Sequence, residues 1–290
     1  MEIFLHQCAA GLVAGAIYAS LAVALVMIWR STHHLNFAQG EMAMFSTYVA
    51  LALIEAGLGY WSAFALTVAL SALAAMALQV IVVAPAARAS PLASVTVFIA
   101  LLCVFHSVAS WWFSPVLREF PSPFARAGML SSPYLSAHAV GTVAVVLVEL
   151  LAVWFFFRFT RTGLAMRAVA HNPQSSRLLG IPVGRMLALG WGLAAALGAV
   201  AGMMVAPTVY LDPNMMGGVL LYGFAAALLG GIDSPWGAAA GGLIVGLLDS
   251  LVGSWLIGPD LKLSFALALI VAVLLLRPAG LFGNPTSTRV

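Results

Sequence analysis

The sequence predicts an all-α fold: a polytopic transmembrane helical bundle of about eight or nine spans, with one or two interrupted helices. Three observations predict it. Of 290 residues, 63% are hydrophobic and 7% are charged, against roughly 25% charged in a soluble domain. Mean hydropathy is +1.08, so lipid rather than water must solvate most of the surface. The apolar residues also fall in nine runs, at 9–29, 41–56, 60–83, 93–113, 138–158, 186–206, 218–232, 236–256 and 261–277. A span needs about 20 apolar residues, so nine runs consume the chain and residues 1–290 read as one transmembrane domain. A barrel is excluded, because its segments alternate in hydrophobicity over about ten residues.

The first run follows Glu2, has no Lys or Arg before Arg30, and reads as a retained span rather than a signal peptide. The second run is short and follows a polar break, which predicts a helix that begins inside the membrane. The run 218–232 is also short and ends at Gly230, Gly231, Ile232, Asp233, Ser234 and Pro235. Unwound backbone in a membrane is tolerated only where protein or water satisfies it, and transporters place their pathways at such breaks. In the eighth run, Gly237, Gly241, Gly242 and Gly246 form small-xxx-small pairs. Gly198 and Gly202 do so in the sixth, and both sets predict close helix packing. Trp29, Trp61, Trp111, Trp112 and Trp255 stand at span ends, as interface anchors do.

The net charge of +3 does not indicate nucleic acid, because the arginines sit between apolar runs. If 159–185 is cytoplasmic, alternating nine spans places Arg158, Arg161, Arg167, Arg177, Arg185, Arg30, Arg88, Arg277 and Arg289 inside. Only Arg118, Arg126 and Lys262 fall outside, which satisfies the positive-inside rule. The same walk puts the N-terminus outside and the C-terminus inside, and a re-entrant second run would weaken it. The outer loop, about 114–137, holds Pro115, Pro121, Pro123 and Pro133 and offers a place for an external partner to dock.

The inner loop reads TRTGLAMRAVAHNPQSSRLLGIPVGR. Asn172 suits an N-cap and Pro173 the first helical position. Gly180 stands where a left-handed C-terminal residue belongs, and Pro182 prevents continuation. The spacing predicts a short helix over 173–179, preceded by a further helical turn or two at 163–170. Helices this short are marginal alone in water, so a partner is expected to pack on them; an ordinary basic loop is the plainer alternative.

These residues carry a resemblance. Gly163, Leu164, Ala165, Arg167, Ala168, Ala170, Asn172, Leu179, Gly180 and Ile181 resemble the inner loop of the branched-chain amino-acid permeases of ATP-binding-cassette importers. LNFAQGEMAMFSTYVAL at 35–51, GLVAGAIYASLAVAL at 11–25 and RPAGLFG at 277–283 are similar to other segments of that family. The match, in order over nearly the whole chain, is closer to the first of the family's two membrane subunits. Gln39 stands where His is frequent, and Ser176 where Ala is common. The resemblance implies an import subunit of a bacterial inner membrane that forms a heterodimer with a second permease. It implies two cytoplasmic ATPases gripping the inner loops through Gly163, Arg167, Asn172, Pro173, Arg177, Leu178 and Gly180, and a periplasmic substrate-binding protein. Related permeases carry short amides and urea, which is the alternative substrate class.

No cofactor is expected in this chain. A phosphate-binding P-loop needs a Lys after its last Gly, and the one lysine, Lys262, follows Leu261. His33 and His34 are adjacent, the other histidines are scattered, and no zinc spacing or catalytic triad is legible. Intramembrane ionisable groups usually face a cavity or a partner, which nominates Glu41, His106, Glu149, Asp233 and Asp249. Glu41 also reads as a helix-start charge, Asp233 with Ser234 as a capped turn, Glu149 as a structural pair and His106 as a core histidine. Asn36 and Gln39 lie in the first break, where neutral amides suit a zwitterion in passage. The tentative pathway set is therefore Asn36, Gln39, Glu41, Asp233 and Asp249. A stand-alone secondary transporter, using Glu149 and Asp249 for coupling, is the rival class.

Overall fold

A computed structural model describes residues 2–32, 34–124, 136–256, 258 and 261–283. His33, Arg126, Pro133 and Arg289 lie outside the described residues. Among the described residues twelve α-helices follow one another: α1 Glu2–Thr32, α2 Gln39–Glu55, α3 Tyr60–Leu78, α4 Ala84–Ala89, α5 Pro91–Phe113, α6 Ala137–Phe159, α7 Arg161–His171, α8 Pro173–Leu178, α9 Val183–Val209, α10 Met215–Gly230, α11 Pro235–Trp255 and α12 Lys262–Leu276. Among the described residues there is no strand, only an antiparallel bridge between Arg118 and Leu211.

All nine apolar runs are helical. Among the described residues, six stretches are long and apolar enough to cross a membrane: α1, Tyr60–Ala89, α5, α6, α9 and α11. With 17, 16 and 15 residues, α2, α10 and α12 fall short of the roughly 20 that a perpendicular span needs. The third span runs on to Ala89 through a π-helical turn at Gln79–Val83, beyond the expected end at Val83. Pro85 explains the turn: without an N–H, and with a ring that crowds the preceding carbonyls, proline forces a local change of helical register. This interruption falls inside a span, at neither of the two predicted breaks.

The centre of the bundle is α1. It packs most extensively on α11 and then on α9 and α10, while α3, α5 and α6 leave most of their surface facing outward. Glycine sets the close approaches. A Cβ on Gly242 would strike the backbone of Ala19, and one on Gly246 that of Gly15. On a neighbouring face of α11, Gly237 and Gly241 meet Gly230 and Ala226 of α10. Gly198 and Gly202 of α9 likewise admit Gln39, Ala43 and Thr47 of α2, as the small-residue spacing predicts.

Helix polarity follows from contacts at the two ends. Ser250, late in α11, donates to the Gln7 carbonyl early in α1 at 2.7 Å. Trp29, late in α1, donates Nε1 to Asp233 just before α11 at 3.3 Å. The two helices are therefore antiparallel. Arg30, Arg158 and Arg167 share one cavity at the Asp233 end. At the far end, Arg118 bridges Leu211 just after α9 and approaches Glu55, the last residue of α2, at 3.8 Å. So α2 runs away from the Arg30 end and does not turn back, and the alternation assumed from the sequence holds through it. Cysteines placed one at a time at Leu117 and Ser175, both exposed, in a background lacking Cys8 and Cys103, are expected to label from opposite faces of sealed vesicles. Labelling of both by one impermeant reagent added outside would overturn this arrangement.

Candidate functional site

Four regions carry the chemistry. The inner hairpin is built by capping. Thr160 accepts from the Gly163 amide at 2.9 Å and donates to the Phe156 carbonyl at 2.7 Å. Helix α7 therefore starts at Arg161, earlier than the expected 163, and runs eleven residues. A Cβ on Gly163 would collide with the Phe156 carbonyl, so only glycine lets α7 fold back so tightly from α6. Asn172 ends α7 and caps α8, its Oδ1 accepting from the Ser175 amide at 2.9 Å. Pro173 is the first residue of α8 and Gly180 takes the left-handed conformation at φ 78°. The Ile181 amide then closes onto the Ser176 carbonyl at 3.0 Å, the crossing bond of a Schellman end. Ser176, the departure from the family pattern, is buried and donates to the Asn172 carbonyl at 2.8 Å. Met166 and Val169 hold the hairpin to the bundle, whereas Leu178 and Leu179 are 90% and 80% exposed.

The first break lies at depth. Asn36 and Gln39 are both fully buried. Asn36 Oδ1 accepts from the Ala38 amide at 3.0 Å, and Gln39 Nε2 donates to the Ala194 carbonyl at 2.8 Å. Ala194 is near the middle of the 27-residue α9, so α2 does begin within the bundle's thickness. Both amides satisfy backbone groups in this conformation, and Gln39 Oε1 has no hydrogen-bond partner. Glu41 and His106 were separate candidates; the fold pairs them, Nδ1 to Oε2 at 3.3 Å, between α2 and α5. Glu149 meets no cation among the described residues and instead sits by Ser20 of α1. The pairing expected for it is therefore not with a charge.

The second break is capped by Ser234, which accepts from the Gly237 amide at 3.1 Å, not by Asp233. The C-terminal RPAGLFG segment docks here. Leu281 and Phe282 donate their amides to the Leu229 and Gly230 carbonyls at 2.8 and 3.1 Å, satisfying orphan carbonyls at the end of α10. Gly231 and Gly280, both at positive φ, touch backbone to backbone.

The fourth region was not nominated from the sequence. A cavity of about 410 Å³ opens at the far end from the arginine cluster, between α1, α6, α9 and α10, and His6, Tyr18, His138, Thr142 and Thr208 line it. His138 Nε2 lies 3.0 Å from the Met204 carbonyl and Nδ1 2.9 Å from the Ser122 hydroxyl. A carbonyl only accepts, so Nε2 carries the proton and Nδ1 accepts. Tyr18 stacks on Tyr222 with ring centroids 4.8 Å apart, and both face buried Asp249. Asp249 therefore adjoins this cavity, while Asp233 belongs to the opposite end. Asp233 precedes α11 by two residues, and Asp249 lies fourteen residues beyond Pro235 along it, a rise of about 21 Å at 1.5 Å each. The five nominated polar residues do not converge on one site. A signal for the cavity existed in the histidine and serine at the start of α6, but nothing local told it from a capped helix start.

Comparison with known proteins agrees with this architecture. The family model described as branched-chain amino acid transport system / permease component matches residues 7–274. The high-affinity branched-chain amino acid transport system permease protein LivH of Salmonella typhimurium is 28% identical over 302 residues, covering 99% of this chain and 98% of the relative. BraD of Pseudomonas aeruginosa, described in the same words, is 27% identical over 303 residues, covering 99% and 98%. A probable branched-chain amino acid transport permease protein LivH of Methanocaldococcus jannaschii is 26% identical over 278 residues, covering 91% and 87%. With a match across almost its whole length, this chain belongs to the branched-chain amino acid transport permease family.

Proposed function

We propose that this chain is half of a heterodimeric translocation path in an ATP-driven importer of branched-chain or similar hydrophobic amino acids, set in a bacterial inner membrane with its C-terminus cytoplasmic. The observation that carries the reading is the capped α7–α8 hairpin, which presents Leu178 and Leu179 to solvent at the arginine-bearing end. Two adjacent leucines so exposed outside the apolar spans call for a covering partner. An ATPase subunit on each permease fills that role, with Gly163 and Asn172–Pro173 setting the hairpin's shape, Gly180 ending it, and Arg167 and Arg177 flanking the contact. ATP-driven movement passes through the hairpin into α6 and α9 and drives alternating access. A periplasmic binding protein delivers substrate to the opposite end, where the His138 cavity opens. Asp249 with its two tyrosines stands at the inner edge of that cavity, and the break at Asn36, Gln39 and Glu41 supplies the polar groups at depth. Asp233 sits at the exit.

The test is uptake by vesicles holding this chain with its second permease, ATPases and binding protein. ATP-dependent accumulation of leucine, isoleucine or valine is the expected result. Uptake of urea or short amides alone would move the substrate to that class. Uptake driven by an ion gradient without ATP would replace the reading with a secondary transporter.

A further inference from the structure

At the arginine-bearing end, a cavity of about 700 Å³ lies between the ends of α1 and α6, helix α7 and the start of α11. Arg30, Arg158 and Arg167 line it, and the one carboxylate there is Asp233. No guanidinium of the three is within 4.0 Å of a carboxylate among the described residues. Asp233 is itself engaged by Trp29, and Arg167 Nε is buried without a hydrogen-bond partner. Three cations against one anion, partly withdrawn from water, leave net positive charge that calls for an anion; guanidinium forks match phosphate oxygens in geometry as well as charge.

The walls say where that anion comes from. Trp154 and Trp236, 43% and 45% exposed, flank the cavity as rings do at a headgroup boundary. Trp154 is also shared with a second groove of about 510 Å³, which runs along α6 past Val148, Leu151 and Phe155. A charged pocket at the end of a span thus continues into an apolar groove on that span's outer face. We infer that the two together bind one anionic glycerophospholipid of the surrounding bilayer, with its phosphate among Arg30, Arg158 and Arg167 and an acyl chain along α6. Basic pockets between transmembrane helices hold anionic headgroups by this physics. A lipid there would brace the root of the inner hairpin, because Arg167 is on α7 and Arg158 ends α6. The inference stands on the cavity itself and holds whichever substrate the permease carries.

The test uses the detergent-purified full chain and mass spectrometry under native conditions. From an equimolar mixture of phosphatidylglycerol and phosphatidylcholine, the protein is expected to retain phosphatidylglycerol with a preference on the order of tenfold. Arg30→Gln with Arg158→Gln is expected to erase the preference, and Arg158→Lys to keep part of it. Arg161→Gln, on α7 but outside the cavity, is expected to leave it unchanged. Equal retention of both lipids by the unaltered protein overturns the proposal without recourse to any variant. Displacement of the lipid by inorganic phosphate at equal concentration would make this a free-anion site instead. Cross-linking of Trp154→Cys to the second permease, in a background lacking Cys8 and Cys103, would make the groove a subunit interface and defeat the lipid reading.

Discussion

Leu178→Asp is expected to abolish ATP-driven uptake in reconstituted vesicles while the protein inserts and pairs with its second permease. Leu178 is 90% exposed, so its side chain contributes almost nothing to the fold of the isolated chain. An apolar anchor at the centre of an interface is worth about 2 kcal/mol or more, which is about thirtyfold in affinity. A carboxylate at that point adds the cost of burying a charge and an unfavourable charge at the end of α8, worth about 0.3–1 kcal/mol. Leu178→Ala removes only the apolar contact and separates the two effects. Association with the ATPase subunits should fall in both variants, further in Leu178→Asp. Uptake and association at the unaltered level in Leu178→Asp would dismiss α8 as the docking element.

The second large effect belongs to the seam between α1 and α11. In lipid there is no hydrophobic drive to bring two apolar helices together, so association depends on close backbone packing. Gly11 and Gly15 of α1 meet Gly242 and Gly246 of α11 with no room for a side chain, and the opposing atoms are backbone that cannot rotate aside. Overpacking typically costs about 1–3 kcal/mol, and contact with backbone belongs at the upper end. Native proteins hold about 5–15 kcal/mol in all, so Gly242→Leu with Gly246→Leu is expected to remove most folded protein. The readout is the monodisperse fraction by size-exclusion chromatography and the thermal midpoint in detergent. Gly217→Ala and Gly218→Ala, where a new Cβ meets nothing within 4 Å, should match the unaltered chain. If the double leucine variant melts with them, the seam is not packed as described.

What could be read from the chain alone was whatever has a local cause. Helical class and the positions of the spans follow from apolar run length, because a run of that length cannot be solvated by water. The hairpin was legible because Asn172, Pro173 and Gly180 each act on backbone within three residues. The small-residue spacings of α9 and α11 announced close packing, though not which partners would approach.

Only the tertiary structure decided the partners, because in a membrane helix nearly every face is apolar and the pattern does not say which one points inward. It placed Glu41 against His106, laid RPAGLFG across Gly231, opened a cavity at His138 and set Asp233 and Asp249 at opposite ends of α11. It also spent the amides of Asn36 and Gln39 on buried backbone groups, a demand that exists only once α2 starts beside the middle of α9. Polar side chains in lipid go where an unsatisfied group awaits them, and that group is set by helices distant in the sequence.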